Sequence, residues 1–252
     1  MELQLHINKI LRSQGLNESD YHDLRPRVSM EFPPPPAGAR DLAAYIDHTI
    51  LRADANPQDI ESLCSEAREY HFASVCINPV YVNQASRLLQ GSNVKTCTVI
   101  GFPLGATLPA CKEAETRIAL DNGADEIDMV LQIGLLKSGA FNEVREEISR
   151  VKEACGSHIL KVIIENAYLT QQEKITACIL SKLAGVDYVK TSTGFGPTGA
   201  TESDVQLMRD VVGPHYGVKA AGGIRTAEVA LAMVAAGATR IGASAGVAIV
   251  SS

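Results

Sequence analysis

From Asp41 to the end of the chain, short apolar runs alternate with stretches in which apolar residues recur every three or four positions. The first pattern predicts buried strands and the second amphipathic helices. Strands are expected at 44–50, 73–78, 95–101, 126–131, 159–165, 187–191, 217–221 and 240–243. Helical stretches fall between them at 57–70, 79–89, 109–122, 141–154, 171–183, 202–212 and 226–235, several opening on a proline or on an Asp, Thr or Ser cap. A short repeat supports this division. Asn122-Gly-Ala-Asp-Glu-Ile127, Ala184-Gly-Val-Asp-Tyr-Val189 and Ala236-Gly-Ala-Thr-Arg-Ile241 each place a helix-ending glycine, a brief link and an apolar strand. Eight such strands, buried on both sides, predict an α/β protein of the (β/α)8 TIM-barrel class over residues 40–252. An open doubly wound sheet is the alternative, because pattern alone does not show closure; no early strand here is followed by Gly-x-Gly-x-x-Gly.

Residues 1–39 stand apart. Positions 7–16 have weak helical periodicity, and Pro33–Pro36 is a four-proline run expected to form a stiff polyproline II spacer. The segment reads as an N-terminal extension with a proline-rich linker.

Composition narrows the picture. A length of 252 residues suits one large barrel domain, and with 46% hydrophobic residues, no Trp and 5% aromatics the core must be built from Val, Ile, Leu and Ala. The formal net charge of −6 is dispersed, without the basic stripe that nucleic-acid binding requires, so no nucleic-acid partner is expected. The six cysteines have irregular spacings and no CxxC pair, as in a reduced cytoplasmic chain. The N-terminus lacks a signal-peptide pattern, and the longest apolar stretch, 229–250, is broken by Arg240 and glycines, so no membrane association is expected.

In a parallel barrel the chemistry gathers at the carboxyl ends of the strands. Polar residues that interrupt strands there are Asp47, Thr49, Cys76, Asn78, Asp128, Lys161, Glu165, Lys190 and Lys219. Lys190 and Lys219 are expected on neighbouring strands, each leading into a glycine-rich loop. Burial and mutual repulsion of two ammonium groups would lower both pKa values and leave an amine able to attack a carbonyl. The other reading makes either lysine half of a structural ion pair, with Asp128 or Glu165 as partner. Asp128, between Ile127 and Met129, is expected to be paired or to relay protons. Glycine-containing loops at Thr193–Gly196, Ala221–Thr226 and Gly242–Gly246 point to phosphate binding, with Arg225 or Ser244 adding donors. The six histidines show no HxH or HxxxH spacing, so no metal is expected; His48 should face away from Asp47, and Cys76 reads as packing.

Val189-Lys-Thr-Ser-Thr-Gly-Phe-Gly196 resembles the Schiff-base strand of the deoxyribose-phosphate aldolase family. The resemblance extends through Ile46-Asp-His-Thr49, Val75-Cys-Ile-Asn-Pro79, Val99-Ile-Gly-Phe-Pro-Leu-Gly-Ala-Thr107, Asn122–Val130, Lys161-Val-Ile-Ile-Glu165, Val218-Lys-Ala-Ala-Gly-Gly-Ile-Arg225 and Gly242–Ile249. It implies a barrel that reversibly cleaves 2-deoxy-D-ribose 5-phosphate to D-glyceraldehyde 3-phosphate and acetaldehyde, with no cofactor. By motif position Lys190 is similar to the imine-forming lysine, while Lys219 and Asp128 match its catalytic partners. Asp47, Thr49, Cys76 and Thr193 match substrate-pocket positions, and Gly194, Gly223, Ile224, Arg225, Gly242 and Ser244 match the surroundings of the phosphate. The chain departs from the family where a Ser-Ser pair becomes Ser244-Ala245, at Thr198 and at Asn166. It also ends at Ser252 without the tyrosine-bearing tail of some members, which is expected to bear on the rate of the proton step. Small barrels of this type are often homodimers. Competing readings are a phosphosugar isomerase using Glu165 as base, and a barrel that binds a phosphosugar without catalysis.

Overall fold

A computed structural model describes residues 2–252 of the chain. Eight parallel strands close in chain order into a barrel, with β1 (Ile46–Ile50) paired to both β2 (Ser74–Ile77) and β8 (Arg240–Ala243). Between them run β3 (Lys95–Ile100), β4 (Glu126–Val130), β5 (Ile159–Ile163), β6 (Tyr188–Lys190) and β7 (Gly217–Ala221). The N-terminal helices are α1 (Glu2–Ser13) and α2 (Glu18–Asp23). Around the barrel lie α3 (Pro57–Glu69), α4 (Val82–Leu88), α5 (Pro109–Asp121), α6 (Ile133–Ser138), α7 (Phe141–Cys155), α8 (Gln171–Leu183), α9 (Glu202–Val212), α10 (Ala227–Ala235) and α11 (Gly246–Val250). The closed sheet resolves the alternative that pattern left open: this is a (β/α)8 TIM barrel.

Local chemistry sets the helix starts. Asn56 caps α3 in a reciprocal box with Asp59, with Pro57 at the first helical position, and Thr170 does the same for α8 with Glu173. Several elements differ from the sequence expectation, among them α2 and α11, which it did not include. Residues Ala39–Tyr45 form a 3-10 turn, so β1 begins at Ile46; α4 is preceded by a separate 3-10 turn at Pro79–Tyr81; and α6 is too short for its periodicity to register.

Side chains alternate across each strand, and the two faces have different chemistry. The outward face packs against the helices in one continuous apolar core that includes Ile46, Val75, Ile127, Val162, Val189, Val218 and Ile241. Barrel interiors are commonly filled with branched apolar side chains. Here the inward positions of β1 and β4 to β8 carry Asp47, Glu126, Asp128, Lys161, Tyr188, Lys190, Lys219 and Arg240, all buried. On the β2–β3 side Cys76, Cys97, Val99 and Leu51 form an apolar cluster. Register sets the charges side by side: Asp128 pairs with Lys161, and Lys190, Lys219 and Arg240 lie in one row across β6, β7 and β8. Two glycines make room for them. A Cβ at Gly217 would collide with the Tyr188 ring, and one at Gly242 would lie 3.1 Å from Lys219 Cε.

The N-terminal segment does not stand off as a spacer. Ile7, Ile10 and Leu11 of α1 are buried in the main core beside α8, and Tyr21 Oη donates to the Val211 carbonyl at 2.7 Å. Lys182 lies 4.0 Å from the centre of the Tyr21 ring and donates to the Val212 carbonyl. Farther along, Val28 N donates to Asp187, Phe32 packs edge-on to Tyr188 with ring centres 6.1 Å apart, and Tyr45 Oη donates to the Pro33 and Pro34 carbonyls. Because Tyr188 points into the barrel, Phe32 helps close its floor. Anchors on both sides of the proline run hold it against the body. Leu11→Ala is therefore expected to lower the unfolding free energy by about 2–5 kcal/mol in urea denaturation, with a single transition retained. An unchanged midpoint would show that α1 is an independent appendage.

Candidate active site

Buried charges must be paired, and Asp128 is the hub at which they meet. Its Oδ1 accepts from Lys161 Nζ at 2.9 Å and from the Cys97 thiol at 3.2 Å. Its Oδ2 accepts from both Lys190 Nζ at 2.7 Å and Lys219 Nζ at 2.8 Å. Lys219 also lies 2.5 Å from Asp47 Oδ2, and Asp47 Oδ1 accepts from Arg240 and from Ser74. Arg240 and Lys161 both reach Glu126, closing the network. Four cations, Lys161, Lys190, Lys219 and Arg240, thus face three carboxylates, Asp47, Glu126 and Asp128.

The directions of titration follow. Burial pushes the Asp128 carboxyl up, but the Lys161, Lys190 and Lys219 ammoniums outweigh it and hold the group well below the usual carboxylate range. Arg240 and Lys219 likewise overcome burial and hold Asp47 low, and Arg240 and Lys161 do so for Glu126. For Lys219, burial favours the neutral form, yet Asp128 and Asp47 win and push the ammonium upward. This corrects the expectation that repulsion would lower both strand lysines: at Lys219, attraction to two carboxylates exceeds repulsion. The ion-pair reading with Asp128 therefore holds geometrically for both lysines.

Above the network a cleft of about 230 Å³ opens at the carboxyl ends of the strands. Its wall gathers Thr49, Lys190, Thr193, Gly194, Gly223, Ile224, Arg225, Gly242 and Ser244, all singled out from the sequence, together with Leu51, Arg52 and Phe195. Gly222 and Gly223 have φ of +90° and +80°, a conformation that favours glycine. Gly199 approaches the Gly222 carbonyl so closely that any Cβ would clash, which lets the loops after β6 and β7 meet. Arg225 is exposed on the cleft wall, with no ion-pair partner among the described residues. Small, glycine-lined and edged by Arg225, with Arg52 already tied to Asp54 and Asp59, the cleft suits a compact anionic ligand.

Of the residues that the family resemblance assigned to the site, four are not on that wall. Asp128 and Lys219 lie beneath it as ion partners of Lys190. Asp47 and Cys76, expected to line the substrate pocket, are also fully buried: Asp47 is held by Lys219 and Arg240, and Cys76 packs in register beside Cys97. Cys97 hydrogen-bonds Cys76 and, despite burial, moves the Cys76 thiol downward. Lys190 is the network member that reaches the cleft. Cys76, Cys97 and Asp128 bring donor atoms within 4.8 Å of one another, but both Asp128 oxygens already accept from ammonium groups. His48 turns outward to Glu66 at 2.6 Å. Sequence reasoning missed Glu126 and Arg240, since each opens its strand and reads as a link residue. The spacing Glu126-Ile-Asp128 was the available signal, because it places two carboxylates on one strand face.

Known proteins resemble this chain along most of its length. Residues 42–252 match the family described as DeoC/LacD family aldolase. A deoxyribose-phosphate aldolase of Brevibacillus brevis is 58% identical over 210 residues, 83% of this chain and 95% of the relative; one of Streptococcus pneumoniae is 59% identical over 208 residues, 82% and 94%. A solved structure from Coccidioides immitis covers 99% of this chain and 96% of its own, at 42% identity and a TM-score of 0.85. A deoxyribose phosphate aldolase from Aeropyrum pernix, described as tetrameric, covers 86% and 92% at 35% identity and a TM-score of 0.80.

The carboxyl groups of Asp47, Glu126 and Asp128 titrate lower in the fold than in the unfolded chain, so their pairing stabilises fully above the unfolded values near pH 4 and is lost as pH falls through the lower folded ones. Unfolding free energy from urea titrations is expected to be level above about pH 5 and to decline below about pH 4. Arg240→Met should lower it by about 1–3 kcal/mol at neutral pH, because Asp47 and Glu126 each lose a buried hydrogen-bond donor and keep one lysine apiece. A flat acid profile, or a neutral effect of Arg240→Met, would contradict the network's role.

Proposed function

The chain belongs to the DeoC/LacD family of aldolases, and we propose that it reversibly cleaves 2-deoxy-D-ribose 5-phosphate to D-glyceraldehyde 3-phosphate and acetaldehyde through an imine on Lys190. The observation that carries this reading is the charge count. Within the network one cation has no carboxylate of its own, and Lys190 is the one that reaches the cleft. Giving up its proton leaves three cations with three carboxylates, so the attacking amine forms without stranding a buried charge.

Lys190 Nζ adds to the C1 aldehyde of the open-chain sugar. The carbinolamine loses water, and the resulting iminium restores the positive charge beside Asp128 Oδ2, where the carboxylate stabilises it. The C3 hydroxyl then gives up its proton, the C2–C3 bond breaks, and its electron pair enters the iminium to form an enamine as glyceraldehyde 3-phosphate departs. The enamine takes a proton at C2, and water hydrolyses the imine to free acetaldehyde and Lys190. Lys219, held charged by Asp128 and Asp47, and Asp128 itself orient the water that carries these protons. Asp47 and Arg240 act one step behind, fixing Lys219. Thr49 faces the sugar, Thr193 shapes the turn beside it with its hydroxyl tied to Glu165, and Gly194, Gly223, Ile224, Arg225, Gly242 and Ser244 take the phosphate. Glu165, the base that an isomerase would need, is not on the cleft wall and accepts from Thr193 instead. The proposed assembly is a homodimer, and the proposed compartment is the cytoplasm, where the six free cysteines stay reduced.

The wild type is expected to release glyceraldehyde 3-phosphate from 2-deoxyribose 5-phosphate, read by a coupled dehydrogenase, and Lys190→Met to abolish release. Because Lys190 is the surplus cation, its loss leaves the interior balanced and the thermal midpoint equal to the wild type's or higher. A folded wild type without cleavage activity would overturn the function, and marked unfolding of Lys190→Met would show that the lysine is structural.

A further inference from the structure

Glu165 follows β5 in an unusual state. Its φ of +53° lies in the left-handed region that favours glycine, its side chain is buried, and no cation contacts it among the described residues. Oε2 accepts from the Thr193 backbone N–H at 3.1 Å and, at short range, from the Thr193 hydroxyl. The Thr193 hydroxyl in turn accepts from the Phe195 N–H at 3.0 Å. One residue further on, Asn166 N donates to the Thr191 carbonyl and extends the β5–β6 ladder into the same loop. A Cβ on Gly196 would lie 3.0 Å from Glu165 Oε1, so the absence of a side chain there leaves the carboxylate its place under the turn.

This arrangement commits two of the turn's donors. With Thr193 N and Phe195 N satisfied, the Gly194 N–H is left without an acceptor among the described residues, at a φ of +86° on the cleft wall. We propose that Glu165 is a positioning residue: it holds the turn after β6 so that Gly194 presents its N–H to the phosphate of the substrate. The strained backbone and the buried carboxylate then have one explanation, the aim of that turn. The inference rests on the proposed phosphosugar chemistry and says which loop the phosphate depends on.

The test compares kcat and KM for 2-deoxyribose 5-phosphate and for unphosphorylated 2-deoxyribose in the wild type, Glu165→Gly and Glu165→Gln. Glycine suits the left-handed φ and removes the carboxylate without stressing the fold. Glu165→Gly is expected to raise KM for the phosphosugar about tenfold, the size of a lost charge-assisted hydrogen bond, with kcat and the KM for 2-deoxyribose within about twofold of wild type. Glu165→Gln, which keeps an acceptor for Thr193, should restore most of the affinity. Binding of inorganic phosphate, measured by calorimetry, should weaken about as much as the phosphosugar KM. Equal losses on both sugars, or an unchanged KM ratio and phosphate affinity, would overturn the role of Glu165. A wild type that binds phosphate but cleaves neither sugar would overturn the aldolase reading and leave the phosphate measurement to decide Glu165 by itself.

Discussion

One oxygen organises the interior of this barrel. Asp128 Oδ2 accepts from Lys190 and Lys219 together, and the rest of the buried charge is arranged around that shared contact. Two ammonium groups can lie on one carboxylate oxygen only if further anions offset them. Asp47 does this for Lys219, and Glu126 for Lys161 and Arg240. The balance is deliberately short by one carboxylate, and the shortfall falls at the network's open end. Lys219 is driven toward permanent charge by its two carboxylates, whereas Lys190 meets a single shared one and faces the cleft. The two lysines are alike in sequence setting and divided in role by the number of anions each touches.

The fold is shaped to hold this cluster dry. Apolar residues, which fill the inside of many barrels, are here placed mainly on the outward faces, where they make the core with the helices. Inside, glycine supplies space at two of the strands. Gly242 lies between Asp47 and Ala221 in the ladder, and its missing side chain lets Lys219 pass beneath β8 to reach Asp47 on β1. Gly217 does the same for Tyr188, whose ring meets Phe32 of the N-terminal segment at the floor. That segment adds to the packing: α1 joins the core, Val28 N binds Asp187, and Phe32 lies against Tyr188.

Much of this was legible in the chain. The helix-ending glycines before Asp125, Asp187 and Thr239 marked the βα units, and charged residues inside apolar runs marked Lys190, Lys219 and Asp128. Local pattern could not show which carboxylate meets which lysine, because Asp47 and Lys219 come together only when β1 closes on β8. For that reason the upward shift of Lys219 ran against expectation, and Asp47, matched to the substrate pocket by resemblance, is held beneath the cleft by Lys219 and Arg240, while Cys76 packs beside Cys97 as its apolar setting suggested. Gly242 was read as part of a phosphate loop; it lines the cleft and also opens the path for Lys219, a second duty that only packing reveals. The proline run misled in another way: its composition describes a spacer, but the groups on either side of it, Val28, Phe32 and Tyr45, bind it down.

In the proposed reaction the surplus cation of the network, Lys190, is the group that becomes covalent. Incubating the protein with acetaldehyde and sodium borohydride, then mapping the modified peptide by mass spectrometry, tests it directly. A single reduced ethyl adduct is expected on Lys190, with Lys161 and Lys219 unmodified in their ion pairs. An adduct on Lys219 or Lys161 in the folded protein, or none on any lysine, would contradict it.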